Sequence, residues 1–571
     1  MNKYRLIYGI IVFLLVFQTN KLKGQIGSWK EKVSEIPEFV IAFSSAAVDG
    51  QILLIGGYIP VENNTQYSRI YGGVLVYNVQ HNSWSRKYSD LPHPRGHLSC
   101  ELWGKEIFVV GGLGDMNHHF IENRVDVLHT ESGEWSLGIP IEISSRNITG
   151  RYGFASCISG DELFIIGGTF DVGSSTNDLQ KFNMRSKIWS QLAPVPIPIA
   201  NSTAVLIDKT IYLFGGTPDH WDLPIQTVFK YDIETNSWSE NSSMLPIKLS
   251  RVAACSFDGI IYVFGGQKSP IKSYKQKETS SAVFLFDPQT NYWQEVSSMY
   301  TGLSSMTAHG LDGNIYLMGG VDANSQTIGS LSANTPSVSI YTPVKAPIYS
   351  LKTHLSKYSL QSRNDSCLIL SNIINHHKHN VVITAQLKGQ ASGKIIELQL
   401  FDDGEHDDGA AGDGYYGNYF KHLGFEDLFQ VRIVSHNHDL NEQFISGQDC
   451  RSIATFGPVA VAGISITKSE VAINNDLLLS FSLELKNSGQ VINTDELTVD
   501  LFSNIDEIEI LKKTSACPLI YPGMTATCKT EFKLRVSSGY PISTLSVIQV
   551  SISSRGHSFW NDTIEIPQNE K

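Results

Sequence analysis

The sequence predicts an all-β protein in which a six-bladed β-propeller, closed by an N-terminal strand, is followed by two immunoglobulin-like β-sandwiches. Three observations support this prediction. Six apolar segments each end in a glycine pair, and the pairs recur about every 50 residues, a period typical of four-stranded propeller blades. Glycine, tyrosine and phenylalanine are abundant (47, 23 and 26 residues) and only 18% of residues are charged, which favours short strands and tight turns. Beyond residue 346 the glycine pairs stop and longer alternating apolar segments begin.

The first 24 residues have the pattern of an export signal. Lys3 and Arg5 precede an apolar stretch from residue 6 to residue 17, and a polar segment follows before Gln25. The apolar stretch is shorter than the ~20 residues that a membrane-spanning helix needs, and an uncleaved anchor is the alternative. We therefore expect residues 1–24 to be a signal peptide, and the mature protein to be secreted or extracellular at the cell surface, without membrane insertion.

The charge of the chain argues against a polyanionic partner. The formal net charge is -12 at pH 7, and no basic run of five or more residues occurs. Proteins that bind nucleic acids collect lysine and arginine to displace counterions from the phosphates. We expect no nucleic acid among the partners.

Each predicted blade shows the same order of features. A tight turn, such as the Asp-Gly of "VDGQ", precedes each strand that ends in a glycine pair, as in a β-hairpin. A third strand then carries an aromatic residue or leucine seven positions before a tryptophan, for example Tyr77 and Trp84. This order resembles the kelch repeat, in which four strands form one blade and the blades surround a central channel. The resemblance covers residues 26–344 and implies a propeller domain over residues 25–345.

The sixth repeat lacks its tryptophan, because Ile348 stands seven residues after Tyr341. At the other end of the chain, Trp29 precedes Gly56 by the same 27 residues that separate Trp84 from Gly111. We therefore predict that the N-terminal segment supplies the fourth strand of the sixth blade. Closure of this kind removes the exposed strand edge that an open ring would have.

The loop lengths predict which face of the propeller binds a ligand. Long polar segments follow the glycine pairs, whereas the other turns of each blade span only a few residues. Three arginines stand near the starts of innermost strands, and a guanidinium at a channel mouth is suited to bind a carboxylate or sulfate. The alternative is that each arginine pairs with a neighbouring acid or lies in solvent. The candidate binding residues are Arg95, His97, His118, His119, Arg151, Asp219, His220, Trp221 and Arg251.

Residues 346–458 and 459–571 are predicted to form the two β-sandwiches, as spacers or accessory modules. The first contains the acidic loop "FDDGEHDDGAAGDGYYG", in which oxygen ligands alternate with glycines as in a Ca²⁺ site. The loop resembles an acidic segment of some extracellular sandwich domains. The alternative is a set of Asp-Gly turns that bond their own backbone without an ion. The candidate calcium ligands are Asp402, Asp403, Glu405, Asp407, Asp408 and Asp413.

The seven cysteines do not define a disulfide scaffold. Cys517 and Cys528 flank "PLIYPGMTAT" and are a candidate pair that closes a hairpin, and Cys367 with Cys450 is a second candidate pair. The cysteines of the repeat region are interpreted as free buried thiols. Two histidine clusters are interpreted as loop residues rather than a metal site: His376, His377, His379, His436 and His438.

These observations favour a secreted or cell-surface recognition protein whose propeller binds a protein or glycan partner through the long-loop face. No phosphate-binding loop, HExxH, GxSxG or paired-cysteine zinc motif occurs, which argues modestly against common hydrolases and kinases. The alternative is a carbohydrate-active enzyme, since kelch-like propellers include galactose oxidase and a six-bladed sialic-acid mutarotase. The copper ligands of the oxidase cannot be placed on this chain, and no Glu and Arg pair stands out for the mutarotase.

Overall fold

The computed structural model describes every residue of the chain in the ranges 26–60, 68–114, 120–141, 150–170, 174–218, 223–240, 244–268, 278–322, 336–345, 347–360, 365–390, 392–423, 426–446, 451–455, 459–472, 475–489, 493–494, 497–538, 548–554 and 557–566. All regular elements in these ranges are β-strands. The same ranges contain no helix that is both long and apolar enough to cross a membrane. The predicted signal peptide lies outside the described residues.

Six four-stranded antiparallel sheets form the blades of the propeller. Strand β1 (Ser28–Glu35) comes before the first blade and belongs to the last. The first three blades contain β2 (Ser44–Val48), β3 (Gln51–Ile55), β6 (Val74–Asn78) and β7 (Ser83–Ser85), with the small hairpin β4 (Tyr58–Pro60) and β5 (Ser68–Ile70) inserted; β8 (Ser99–Trp103), β9 (Glu106–Val110), β10 (Arg124–His129) and β11 (Trp135–Pro140); and β12 (Ala155–Ser159), β13 (Glu162–Ile166), β14 (Leu179–Asn183) and β15 (Ile188–Gln191).

The last three blades repeat the arrangement. They contain β16 (Thr203–Ile207), β17 (Thr210–Phe214), β18 (Val228–Asp232) and β19 (Ser237–Glu240); β20 (Ala253–Phe257), β21 (Ile260–Phe264), β22 (Val283–Asp287) and β23 (Tyr292–Glu295); and β24 (Thr307–Leu311), β25 (Asn314–Met318) and β26 (Ser337–Thr342), joined by β1.

The N-terminal strand closes the ring, as predicted. Strand β1 is antiparallel to β26, and Trp29 pairs with Tyr341. The two rings lie 4.9 Å apart between centroids, and the Tyr341 hydroxyl donates a 2.9 Å hydrogen bond to the Ile26 carbonyl. The sixth blade therefore takes its outer strand, with its tryptophan, from the other end of the domain.

The glycine pairs tie each blade to the next. Gly56 has a φ of +67°, and a Cβ at this position would lie 2.5 Å from the Arg95 carbonyl oxygen. The following Gly57 donates its backbone N–H to that same carbonyl at 2.8 Å. Only glycine combines this left-handed conformation with so close a backbone approach, so the repeated pairs mark the points where adjacent blades touch.

The repeated aromatic residues fill the space between blades, as predicted. Phe286 stacks on Trp293 with 4.4 Å between ring centroids, and both rings meet Phe214 of the preceding blade at 6.1 and 6.0 Å. All three side chains are buried in one apolar cluster. Edge-to-face and offset contacts of this kind add to the energy of burying apolar surface.

Two further β-sandwiches follow the propeller. The first is built from a three-stranded and a six-stranded sheet: β27 (Tyr349–Leu355), β28 (Ser359–Leu360), β29 (Ser366–Ile374), β30 (Val381–Gly389), β31 (Ile395–Leu400), β32 (Tyr415–Lys421), β33 (Asp427–Asn437), β34 (Glu442–Ile445) and β35 (Arg451–Thr455). The second is built from a five-stranded and a four-stranded sheet: β36 (Val459–Val471), β37 (Leu477–Asn487), β38 (Leu497–Phe502), β39 (Ile508–Lys512), β40 (Thr514–Cys517), β41 (Thr525–Thr527), β42 (Phe532–Val536), β43 (Ile548–Ser554) and β44 (His557–Ile564).

The first sandwich packs against the fifth blade through a polar and aromatic contact. Tyr349 stacks on Tyr292 with 4.0 Å between ring centroids, and its hydroxyl donates to Asp287 Oδ2 at 2.5 Å. His376 Nε2 lies 2.6 Å from the same carboxylate oxygen. His377 Nε2 lies 3.6 Å from Asp258 Oδ2. The first histidine cluster thus helps to join two domains, a role that the sequence did not indicate.

Candidate functional site

A ring of six residues, one from each blade, surrounds one end of the central channel. We call it the mouth ring, and its members are Ala42, His97, Gly153, Asn201, Arg251 and Ser305. Each member has a positive φ between 52° and 61°, and each lies two residues before an innermost strand. Five backbone hydrogen bonds connect neighbouring members, from the N–H of His97 to Ala42 and so on around to the N–H of Ser305 bonding Arg251, at 2.8 to 3.4 Å.

The mouth ring lies on the face from which the long loops leave. In every blade the residue just before the ring position forms a β-bridge with the residue just after the glycine pair, for example Gly96 with Leu113 and Ser250 with Gln267. The segments that follow the glycine pairs therefore begin beside the ring. The predicted long-loop face and the channel mouth are the same surface.

Arg95 lies inside a blade and not at the channel mouth, so the structure corrects its predicted position. Its side chain is 1% exposed, and Nη1 lies 2.7 Å from Asp126 Oδ2, itself fully buried. Nε and Nη2 donate to the carbonyls of Gly111 and Val109 at 2.7 and 3.0 Å. Nη1 also donates to the His93 carbonyl at 2.7 Å. The alternative role, an arginine paired with a neighbouring acid, describes Arg95.

Arg151 occupies the equivalent place one blade later and is also 1% exposed. Its Nη1 lies 3.3 Å from the Gly167 carbonyl and 3.5 Å from the Asp178 carbonyl. Burial lowers the pKa of Arg151 to about 10, although the nearby Asp178 carboxylate acts in the opposite direction. The structure thus corrects the predicted mouth position of Arg151 as well.

Arg251 is the one predicted arginine that belongs to the mouth ring. Its side chain lines the channel and is half-buried, and Nε donates to Asn201 Oδ1 at 3.3 Å. Burial lowers the pKa of the guanidinium to about 10, so the group stays charged at neutral pH. No carboxylate within the described ranges forms an ion pair with it. His97 lines the same mouth, with its ring centroid 5.8 Å from Tyr58 and 6.2 Å from Tyr152.

The remaining predicted loop residues fall outside the described ranges. They are His118, His119, Asp219, His220 and Trp221. Their part in binding stays a prediction.

Behind the mouth ring, the channel is a polar cavity of about 520 Å³. Glu101 lies on its wall and accepts a 2.5 Å hydrogen bond from Ser156 Oγ, which also contacts Ser99 Oγ. Burial raises the pKa of Glu101 from its usual 4.5 to about 7, and the Ser156 hydrogen bond only partly offsets this effect. At neutral pH a large share of Glu101 is therefore protonated and able to donate a hydrogen bond.

A second polar group on the channel wall is centred on His309. Its Nε2 lies 2.7 Å from Ser45 Oγ, which is also 2.5 Å from Thr307 Oγ1. Burial lowers the pKa of His309 from 6.5 to about 4, so the imidazole is neutral at pH 7. The channel therefore presents hydroxyl, carboxyl and imidazole groups behind one fixed positive charge at its mouth.

Comparison with known families identifies the propeller. A family model described as the KLHDC2/KLHL20/DRC7 Kelch-repeats domain matches residues 14–216 and 96–320, which together span more than half of the chain. The chain belongs to the kelch-repeat family. A second model, the Conditioned medium factor 2nd Ig-like domain, matches residues 350–441, within the first sandwich. Both predicted domain types are thus confirmed.

Similar proteins share the kelch region alone. Kelch-like protein 25 of Xenopus tropicalis is 26% identical over 254 residues, covering 43% of this chain and 40% of the relative. Kelch-like protein terF of Aspergillus terreus is 22% identical over 285 residues, covering 48% and 58%. The chain thus aligns with less than two thirds of either relative. Among solved structures, that titled "Structure of YjhT" is similar with a TM-score of 0.42 and 14% identity, covering 54% of this chain and 96% of that one.

Outside the kelch propeller, the acidic loop directs its carboxylates at its own backbone. Asp408 is buried and accepts from the N–H groups of Asp403, Gly404 and His406 at 2.7 to 3.0 Å. Asp402 likewise accepts from residues 412, 413 and 414. These bonds correspond to the ion-free alternative. Within the described part of the chain, no three His, Cys, Asp or Glu side chains are grouped to hold a metal.

The other predicted ligands of the loop have partners of their own. Asp403 pairs with His406, Asp407 contacts the Tyr419 hydroxyl, and Asp413 accepts from the N–H groups of Ala410 and Tyr415. A calcium ion bound to this loop would have to replace several of these contacts. The calcium site, which includes Glu405, stays a prediction.

The sequence contained a signal for the mouth ring that loop length and residue type did not show. Every ring member lies 14 residues before the first glycine of its kelch pair, as Ala42 does before Gly56 and Arg251 before Gly265. Arg95 and Arg151 lie 16 residues before theirs, at Gly111 and Gly167. Counting back from the glycine pair would have separated them and added Asn201 to the site.

Proposed function

We propose that this protein is a secreted or cell-surface recognition protein whose kelch propeller binds a protein partner at the mouth ring. Kelch-repeat proteins generally mediate protein binding. The observation that carries the proposal for this chain is Arg251, a charged guanidinium at the channel mouth without an acidic partner in the described ranges. We infer that the partner inserts an acidic side chain there.

The electrostatics of the mouth support an acidic ligand group. A partly buried guanidinium loses much of its hydration, and a carboxylate that binds it restores charge-assisted hydrogen bonds. Asn201 Oδ1 accepts from Arg251 Nε, which fixes one edge of the guanidinium and leaves its two Nη groups for the ligand. The hydroxyl-lined wall behind the ring suits the polar remainder of an inserted segment.

The sandwich domains fit the role of spacers in this proposal. The first sandwich is held to the fifth blade by the Tyr349, His376 and Asp287 contact, away from the inner strands. The mouth ring therefore stays open to a partner that approaches along the channel axis. The enzymatic alternative has no residue assignment in the described channel, where no metal-holding group of side chains occurs.

Binding assays on the full chain test the proposal. A displayed random-peptide library and a glycan array are screened with the wild-type protein, and the hits are measured against Arg251→Gln. The matched control is Arg185→Gln, because Arg185 is 70% exposed and pairs with Asp161 on the opposite side of its blade. We expect acidic peptides as hits, a loss of affinity of about tenfold or more for Arg251→Gln, and no change for Arg185→Gln.

Two results would contradict this function. Hits that bind Arg251→Gln as tightly as wild type would remove the mouth ring from recognition. Hits confined to sulfated or carboxylated glycans would replace the protein partner by a glycan.

A further inference from the structure

The second sandwich contains two cysteines that come from opposite sheets. Cys517 ends strand β40 and pairs with Leu497 of β38, in the four-stranded sheet. Cys528 directly follows β41, and its N–H donates to the Leu483 carbonyl of β37, in the five-stranded sheet. The chain crosses from one sheet to the other between the two cysteines. They do not close a hairpin within one sheet, as the sequence suggested.

The two side chains meet inside the sandwich. Their thiols are hydrogen-bonded to each other, and both are buried, at 3% and 6% exposed, in the apolar core of the domain. The backbone holds them in place, because the N–H of Lys529 donates to the Ala516 carbonyl at 2.8 Å. The residues flanking the two cysteines are therefore already joined across the gap between the sheets.

We propose that Cys517 and Cys528 form a disulfide bond that ties the two sheets of the second sandwich together. The bond would enclose the segment from residue 518 to residue 527, in which Leu519, Tyr521 and Met524 are 49%, 61% and 60% exposed. A covalent link across this segment restricts the unfolded chain and stabilises the folded domain.

The chemistry is thiol–disulfide exchange with an external disulfide such as oxidised glutathione. The Cys517 thiolate attacks one sulfur of the oxidant, forms a mixed disulfide and releases the first thiolate. Cys528 then loses its proton, attacks the Cys517 sulfur and releases the second thiolate, which gives one internal disulfide and two reduced glutathione molecules. The hydrogen bond from Cys528 lowers the pKa of Cys517, which suits it to attack first.

The cysteines of the propeller provide internal controls. Cys100 and Cys255 lie on inner strands of different blades, and burial raises the pKa of each thiol to about 12. A thiol of this kind forms little thiolate at neutral pH and is a poor nucleophile. Cys255→Ser therefore changes the cysteine content without removing either partner of the proposed bond.

The experiment uses the full chain, incubated with oxidised glutathione or with dithiothreitol. Each sample is then denatured, alkylated with N-ethylmaleimide, digested without reductant and analysed by mass spectrometry. We expect a cross-linked peptide joining Cys517 to Cys528 in the oxidised wild type and in Cys255→Ser, and none in Cys517→Ser or Cys528→Ser. Oxidation is also expected to raise the melting temperature of the second sandwich, on the order of 10 °C, in wild type only.

The mass spectra of the wild type decide the proposal even if the serine variants fold poorly. Recovery of residues 517 and 528 in fully alkylated form after oxidation would overturn it. So would glutathione on each cysteine separately, or a cross-link from either cysteine to a different one.

Discussion

Arg95 in the blade interior and Arg251 in the mouth ring occupy similar places in the sequence repeat but opposite environments in the structure. Arg95 is enclosed by Asp126 and three backbone carbonyls, whereas Arg251 lines the open channel. The difference comes from a shift of two residues relative to the glycine pair. The backbone carbonyl of Arg95 receives the N–H of Gly57, while Arg251 lies one step beyond the corresponding contact.

The comparison shows that the blade interior accepts an arginine only with compensation. The positions equivalent to Arg95 in later blades hold Ile199, Leu249 and Leu303, whose carbonyls accept from the second glycine of each pair. A charged group at such a place needs a buried carboxylate and carbonyl acceptors, because desolvation costs several kcal/mol per ion. The mouth ring needs none of this, so its charge is left for a ligand.

The largest effect is expected from breaking the buried pair. Arg95→Met fills the site with an apolar side chain but leaves the Asp126 carboxylate buried without its cation. We expect a loss of about 3–5 kcal/mol in the unfolding free energy of the propeller, measured by urea denaturation followed by tryptophan fluorescence. The double variant Arg95→Met with Asp126→Asn should recover part of that loss. Equal stability of Arg95→Met and wild type would place the arginine outside the core.

A smaller effect is expected from titration of the channel wall. The raised pKa of Glu101 means that the folded state holds this proton more tightly than the unfolded state, so its contribution to stability falls as pH rises from 4.5 to about 7. The lowered pKa of His309 acts in the opposite sense, and its contribution falls as pH drops from 6.5 to about 4. The two slopes nearly cancel in the wild type between pH 4.5 and 6.5.

Single variants should reveal each slope. Glu101→Gln leaves stability that rises with pH across this window, and His309→Gln leaves stability that falls, each by about 1–3 kcal/mol. Unfolding free energies at closely spaced pH values from 4 to 8 measure both. Parallel pH profiles for wild type and both variants would show that neither group titrates within the fold as described.

The smallest change in stability is expected at the mouth ring itself. Arg251→Ala removes a half-buried side chain whose printed protein contact is one 3.3 Å hydrogen bond to Asn201. We expect a change of less than about 1 kcal/mol in the same urea assay, while binding is lost as proposed above. A loss comparable to that of Arg95→Met would mean that Arg251 belongs to the blade core, and the comparison would fail.

Much of the fold could be predicted from the sequence because the repeat carries its own register. The glycine pairs and tryptophans mark the same strands in each blade, and the missing tryptophan after Tyr341 pointed to Trp29. The site was harder to predict, since residue type does not show whether a side chain faces the channel or the next blade. The acids that enclose Arg95 and meet His376 lie 31 and 89 positions away, where no local pattern connects them.

Closure of the ring by β1 has a consequence for biosynthesis. Ile26 and Tyr341, which bond to each other, are 315 positions apart, so at ~5–20 residues per second a ribosome needs about 15–60 s to make the partner of the first strand. During that time β1 is an unpaired edge, and such edges invite aggregation. Its sequence alternates charges, with Lys30, Glu31, Lys32 and Glu35 within eight residues. We expect these charges to keep the waiting strand soluble until the sixth blade emerges.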